Sequence, residues 1–194
     1  MKKLLIFFVA LCMAFSALAL NTRRGTHGGT GDILPAERAD MSAYETYDAD
    51  EEYVFAKSNI KDMYERLNRK ETFVIYFGFA RCPWCRDLMP VLNEASKLAK
   101  HGTVYYANTR ENPEWKSNID MDDYDLLVEM AFDYLEYDEK GIKHLDAPTV
   151  YFIKDGKIQT AVFAPKYDAH KETISDELRE ALLDELLGAF KSLR

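Results

Sequence analysis

Apolar positions along the chain alternate between helical and strand spacing, and the order of the two predicts the architecture. After Ser58, a plausible N-cap, Ile60, Met63, Tyr64 and Leu67 recur at i, i+3, i+4 and i+7, one face of a helix. Residues 53–56 before it read as a short strand. Residues 72–79 (TFVIYFGF) are a continuous β-branched and aromatic run. Such a run suits a strand covered on both faces at the centre of an α/β sheet. A helix follows over 83–100, with Leu88, Val91, Leu92, Ala95, Leu98 and Ala99 as its apolar set. Pro90 inside it is expected to kink it, because the ring removes a backbone donor. Residues 103–107 are the next strand. Residues 149–153 and 157–163 form two strands around Asp155-Gly156, a hairpin signal. The final helix is capped by Thr173 or Ser175 and carries Leu178, Ala181, Leu182, Leu186, Ala189, Phe190 and Leu193 on helical spacing. This order predicts a mixed sheet flanked by helices.

The flanking and intervening stretches differ in character. Residues 1–19 read as a secretory signal peptide: Lys2 and Lys3 precede an apolar run, and Ala17-Leu18-Ala19 offers the small residues a signal peptidase accepts. Cleavage there removes Cys12 and leaves two of the three cysteines. An uncleaved anchor remains open, since residues 4–20 reach the lower length limit for crossing a bilayer. Lipidation at Cys12 is the weaker third case, because Leu11 before it is not small. Each case places the folded part outside the cytoplasm, secreted or anchored through the N-terminus, where disulfide chemistry is permitted. Residues 20–52 are expected to form a flexible acidic and glycine-rich segment, with four glycines and no apolar residue in 21–31. The domain proper is then 53–194. Within it, 114–146 reads as an acidic insertion. Its one amphipathic stretch carries Leu126, Leu127, Met130, Tyr134 and Leu135, and is expected to be an added surface helix rather than a partner-docking site.

The 194-residue chain is 47% apolar, enough for one domain with a core and too short for two full enzyme domains. Its net charge of −8 lacks the clustered Lys and Arg that phosphate binding needs, so nucleic acid is not an expected partner.

The chemistry sits in Cys82-Pro83-Trp84-Cys85, where the buried strand ends and a helix begins. Unpaired N–H groups of a first helical turn favour a thiolate at Cys82, and Arg81 and Arg86 add positive charge nearby. Pro83 suits a first helical position because its missing N–H is not needed there. Cys85, one turn in, would stay protonated until it attacks a mixed disulfide on Cys82. Trp84 is expected as an exposed, substrate-facing aromatic, with a ring folded onto the helix as the close alternative. A structural zinc site would want four ligands, and no second C-x-x-C or H-x₃₋₅-H exists. No metal and no cofactor are expected.

The chain resembles the thioredoxin superfamily in its C-x-x-C after a buried strand, in Pro90 beyond it, and in the strand exit from Asn108 to Pro113. Ala147-Pro148-Thr149 before a strand and the Lys154-Asp155-Gly156-Lys157 hairpin extend the likeness. The segment FGFARCPWCRDLMPVLNEASK is also similar to thioredoxin-like proteins of the bacteriocin-transport-accessory type. The resemblance implies a thioredoxin fold, a nucleophilic Cys82, a resolving Cys85, a cis-proline at Pro148, and a peptide-docking edge at Ala147-Pro148. It implies an extracytoplasmic thiol–disulfide oxidoreductase acting on protein or peptide substrates and served by an unidentified redox partner. The alternative is a non-catalytic accessory protein of the same fold that binds an exported peptide. One departure stands out: the strand position at which thioredoxins carry a buried Asp is here Tyr76. Oligomeric state and reaction direction are open at this level.

Overall fold

The structure, a computed structural model, describes residues 36–110 and 117–194. The expected leader 1–19, the glycine-rich stretch 21–31 and Pro113 lie outside the described residues.

The elements follow in the order β1 (Phe55–Lys57), α1 (Ile60–Asn68), β2 (Phe73–Gly78), α2 (Pro83–Ala99), β3 (Val104–Asn108) and α3 (Met121–Ala131). A 3-10 turn at Phe132–Tyr134 leads to β4 (Glu136–Tyr137), β5 (Lys143–His144), β6 (Thr149–Lys154), β7 (Lys157–Phe163) and α4 (Asp176–Lys191). Five strands form one mixed sheet in the order β1-β3-β2-β6-β7. β1, β3 and β2 run parallel, while β6 and β7 are antiparallel to their neighbours. β4 and β5 make a separate two-stranded ribbon.

The central strand explains why its sequence shows no alternation. All six residues of β2 are buried, because both faces of the sheet are covered. Val74 and Tyr76 point into one apolar cluster with Leu88, Leu92, Leu182, Leu186 and Phe190 from α2 and α4. Phe73, Ile75 and Phe77 point into the other, with Ile60 and Met63 from α1 and Leu127 and Ala131 from α3. The acidic helical segment is present: Leu127 and Ala131 of its apolar stripe are buried in the second cluster, while its acidic residues stay at the surface.

Local chemistry sets the element ends. The helix α1 is capped by Asn59, whose side chain accepts from Asp62 N–H at 2.9 Å, not by Ser58. The Ser58 N–H is still engaged with the Tyr106 carbonyl as the sheet runs out. Ser175 caps α4 by accepting from Leu178 N–H at 3.2 Å. The β6–β7 hairpin turns through Asp155 (φ 51°) and Gly156 (φ 72°), the left-handed pair that a tight hairpin requires.

The flexible segment expected over 20–52 is corrected for its described part. Residues 37–39 exchange backbone hydrogen bonds with Phe55 and Lys57, and Met41 and Tyr44 are buried in the first cluster. Asn93 of α2 holds the same segment, accepting from Val54 N–H at 3.0 Å and donating to Glu51 and to the Glu52 carbonyl. Burial of only two side chains ties down a stretch whose composition is otherwise polar.

Candidate active site

Strand β2 ends at Gly78, and after four intervening residues the chain enters α2 at Pro83. Cys82 is the N-cap: its backbone is extended (φ −78°, ψ 120°), and its sulfur accepts the Cys85 N–H at 3.3 Å. Pro83 occupies the first turn, where no backbone donor is lost. The Cys82 carbonyl accepts from Arg86 N–H at 3.0 Å, which starts the helical ladder. Both cysteines are free thiols, and the two residues approach to 3.1 Å. Cys82 retains 4% exposure and Cys85 none, so of the two only Cys82 can be reached from outside.

The two thiols are electrostatically unlike. The hydrogen bond from the Cys85 thiol lowers the Cys82 titration against the opposing effect of burial, and the N–H groups of Cys85 and Trp84 and the Arg86 charge act in the same direction. Cys85 is pushed well up, chiefly by burial and secondarily by its bond to Cys82. The Phe79 backbone and the Tyr76 hydroxyl act against that rise. A nucleophile at the mouth and a protonated reserve thiol beneath it are what exchange chemistry uses.

Across from the dithiol lies the loop before β6. The Ala147–Pro148 peptide bond is cis. The Cys82 thiol donates to the Ala147 carbonyl at 3.4 Å, and the Thr149 hydroxyl donates to the Asp146 carbonyl at 2.7 Å. Pro148 is buried and Ala147 half-buried. Cys82, Cys85, Ala147 and Pro148 are thus brought together.

The other expected site residues are placed differently. Trp84 is half-buried, not a free aromatic. Its indole N–H donates to the Tyr167 carbonyl at 3.0 Å, and its ring meets His170 edge-on with centroids 5.0 Å apart. Arg86 is not a dedicated counter-charge for Cys82. Its guanidinium bonds buried Asp87 at 2.8 Å and 3.1 Å and reaches Glu45 at 3.5 Å. Asp87 also accepts from the Tyr167 hydroxyl and from Ile174 N–H. Arg81 is exposed at the last position before Cys82.

Asp87, Tyr167, Tyr44 and Tyr106 are site neighbours that the sequence does not single out. Tyr106 sits opposite Tyr76 in the parallel β2–β3 register, so both rings share a sheet face. Tyr44 and Tyr167 reach the site from segments 41 and 82 positions away from Cys85 or closer by fold alone, and no local spacing marks them.

The mixed sheet flanked by helices is what the sequence pattern predicts, and the dithiol stands at the end of its central strand with the Ala147 carbonyl against Cys82. The fold is a mixed five-stranded sheet flanked by helices. Thioredoxin O2 from Arabidopsis thaliana in its oxidized state is similar at 17% identity and a TM-score of 0.38, over 70% of this chain and 96% of that one. Thioredoxin O1 from the same plant is 18% identical with a TM-score of 0.36, over 69% of this chain and 97% of its own. The J-Trx1 fragment of ERdj5 is 18% identical with a TM-score of 0.37, over 71% of this chain and 52% of that one. No protein-family model matches the chain, and no curated protein matches its sequence.

Proposed function

We propose that the chain is an extracytoplasmic thiol–disulfide oxidoreductase that acts on protein disulfides through Cys82 and Cys85. The observation that carries this reading is the unlike pair: two cysteines that approach to 3.1 Å, the outer one lowered toward the thiolate and the inner one held as thiol. In the reducing direction the Cys82 thiolate attacks a substrate disulfide and expels one substrate sulfur as a thiolate, which takes up a proton. Cys85 then gives up its proton and attacks Cys82, forming the Cys82–Cys85 bond and releasing the second substrate thiol. The oxidising direction is the reverse, and the reduction potential of the pair selects between them within about −270 to −120 mV. The Ala147 carbonyl, already in contact with the Cys82 sulfur, supplies the backbone edge along which a substrate chain would lie. The location outside the cytoplasm rests on the leader-like residues 1–19.

The test is trapping. Purified Cys85→Ala protein, incubated with a disulfide-bearing protein such as insulin, should accumulate a mixed disulfide on Cys82 that is cleaved by reductant, and Cys82→Ser should form none. Absence of any adduct, with peptide binding intact in Cys82→Ser, would replace this reading with that of a binding protein.

A further inference from the structure

The charge of the chain is concentrated in one stretch. Residues 120–146 hold ten carboxylates and two lysines, a net of −8 that equals the formal charge of the whole protein. The rest of the sequence balances, with 23 groups of each sign. The same stretch leaves large apolar side chains open to solvent. Phe132 is 49% exposed, Tyr137 61% and Ile142 58%, three of the six such residues among the described ones.

These side chains stand on a fastened platform. Tyr137 of β4 lies opposite Lys143 of β5 in the two-stranded ribbon. The Lys143 ammonium is 4.2 Å from the centre of the Tyr137 ring and 4.8 Å from that of Phe132, so both rings gather around one point. That ammonium also donates to the Leu135 carbonyl at 2.7 Å, and the Lys143 carbonyl accepts from the Tyr124 hydroxyl of α3 at 2.8 Å. Lys143 is thereby engaged, while Asp133, Glu136 and Glu139 are exposed around the rings.

Position ties this surface to the dithiol. β5 ends at His144, and three residues on is Ala147, whose carbonyl meets the Cys82 sulfur at 3.4 Å. Three residues span at most about 10 Å. An extended chain rises about 3.3 Å per residue, so a substrate joined to Cys82 reaches the ribbon with side chains about six positions from its cysteine, or nearer. Exposed rings rimmed by carboxylates favour one kind of chain. Apolar side chains pack on the rings, lysine or arginine is drawn both to the ring faces and to the carboxylates, and an acidic chain is repelled.

We propose that the β4–β5 ribbon, through Phe132, Tyr137 and the carboxylates around them, docks substrate polypeptides that carry lysine or arginine among apolar residues close to the reacting cysteine. This rests on the reading of Cys82–Cys85 as an exchange dithiol and names the class of its substrate.

The experiment follows the reduced protein with two peptides of equal length and apolar content, their single cysteine flanked by lysines in one and by glutamates in the other. Each cysteine is blocked as its 2-pyridyl disulfide. Cys82 attack on the peptide sulfur forms the mixed disulfide and expels uncharged pyridine-2-thione, whose absorbance reads the rate. Rates are divided by that for 2-hydroxyethyl 2-pyridyl disulfide, which is too small to span from Cys82 to the ribbon. The cationic peptide should react about ten-fold faster than the anionic one at low ionic strength, and salt should shrink the ratio. Glu136→Gln with Glu139→Gln should lower the ratio about three-fold, and Tyr137→Ser should slow the cationic peptide about three-fold. Glu177→Gln with Glu180→Gln, two exposed carboxylates of α4, should leave the ratio as it is. A ratio that the ribbon changes do not move, or that the α4 changes move equally, overturns the proposal. A ribbon that instead seats a second copy of this chain would show as a dimer that Tyr137→Ser dissociates, with the ratio unmoved, and overturns it too. No thione from the small reference disulfide would overturn the exchange reading itself, and the proposal with it.

Discussion

The Thr46 hydroxyl donates to the Arg86 carbonyl at 2.8 Å. That carbonyl lies four residues before Pro90, so the helix offers it no N–H. The N-terminal segment therefore supplies what the proline takes away, next to the dithiol. Thr46→Val should lower stability by about 0.5–1 kcal/mol, since the bond is exposed and water can partly replace it. Urea denaturation of the two proteins checks this.

The unlike titration of the two thiols gives a pH signature. Cys82 is lowered, so its thiolate persists below the ordinary thiol value of about 8.5. Iodoacetamide should modify Cys82 readily at neutral pH in the reduced, unaltered protein, and Cys85→Ala, which removes the bond from the Cys85 thiol, should move the acid fall-off of that rate to higher pH. Cys85 in Cys82→Ser should stay unmodified up to clearly alkaline pH, because burial raises it. Equal rates at pH 7 would contradict the assignment of nucleophile and resolving thiol.

Asp87 links the site to acid stability. Burial raises its carboxyl, but bonds from Arg86, Tyr167 and Ile174 outweigh that and hold it below 3.8. A carboxyl depressed in the folded state contributes stability above its unfolded pKa of about 3.9 and loses it as pH falls through the lower folded value. Asp87→Asn should destabilise the protein at pH 7 by about 1–3 kcal/mol, by taking from Arg86 its buried charge partner and leaving only exposed Glu45. The difference between the two proteins should shrink as the pH is taken below about 4. Thermal unfolding across that range reads it.

Leu127 decides whether the acidic segment is core or appendage. It is fully buried, while Met121 at the start of the same helix is 73% exposed. Leu127→Ala should cost about 2–5 kcal/mol through lost burial and a cavity. Met121→Ala should stay within about 0.5 kcal/mol. Equal, small effects in a denaturation series would mean that the second face of the sheet does not depend on α3.

Much of this was legible along the chain. The 72–79 run, the Asp155-Gly156 turn and the amphipathic helices on either side announce a covered sheet, because burial periodicity is a local property of the backbone. The dithiol was legible for the same reason: strand, cysteine, proline and helix follow one another within a few residues. The buried Met41 and Tyr44 were not, since nothing near them in sequence distinguishes a tethered segment from a loose one. Trp84 is similar. Its exposure is decided by Tyr167 and His170, more than eighty residues away.

By itself, the sequence determined the alternation of strands and helices, the two-sided burial of β2 and the position of Cys82 at a helix start, all consequences of spacing between near neighbours. Tertiary structure alone decided that the Tyr44 hydroxyl meets those of Tyr76 and Tyr106, that Arg86 is spent on Asp87, and that Thr46 satisfies the carbonyl left open by Pro90. Each of these joins groups from separate elements. Hydrogen bonds act only at about 3 Å, a separation that the packing of strands and helices sets and that sequence distance does not encode.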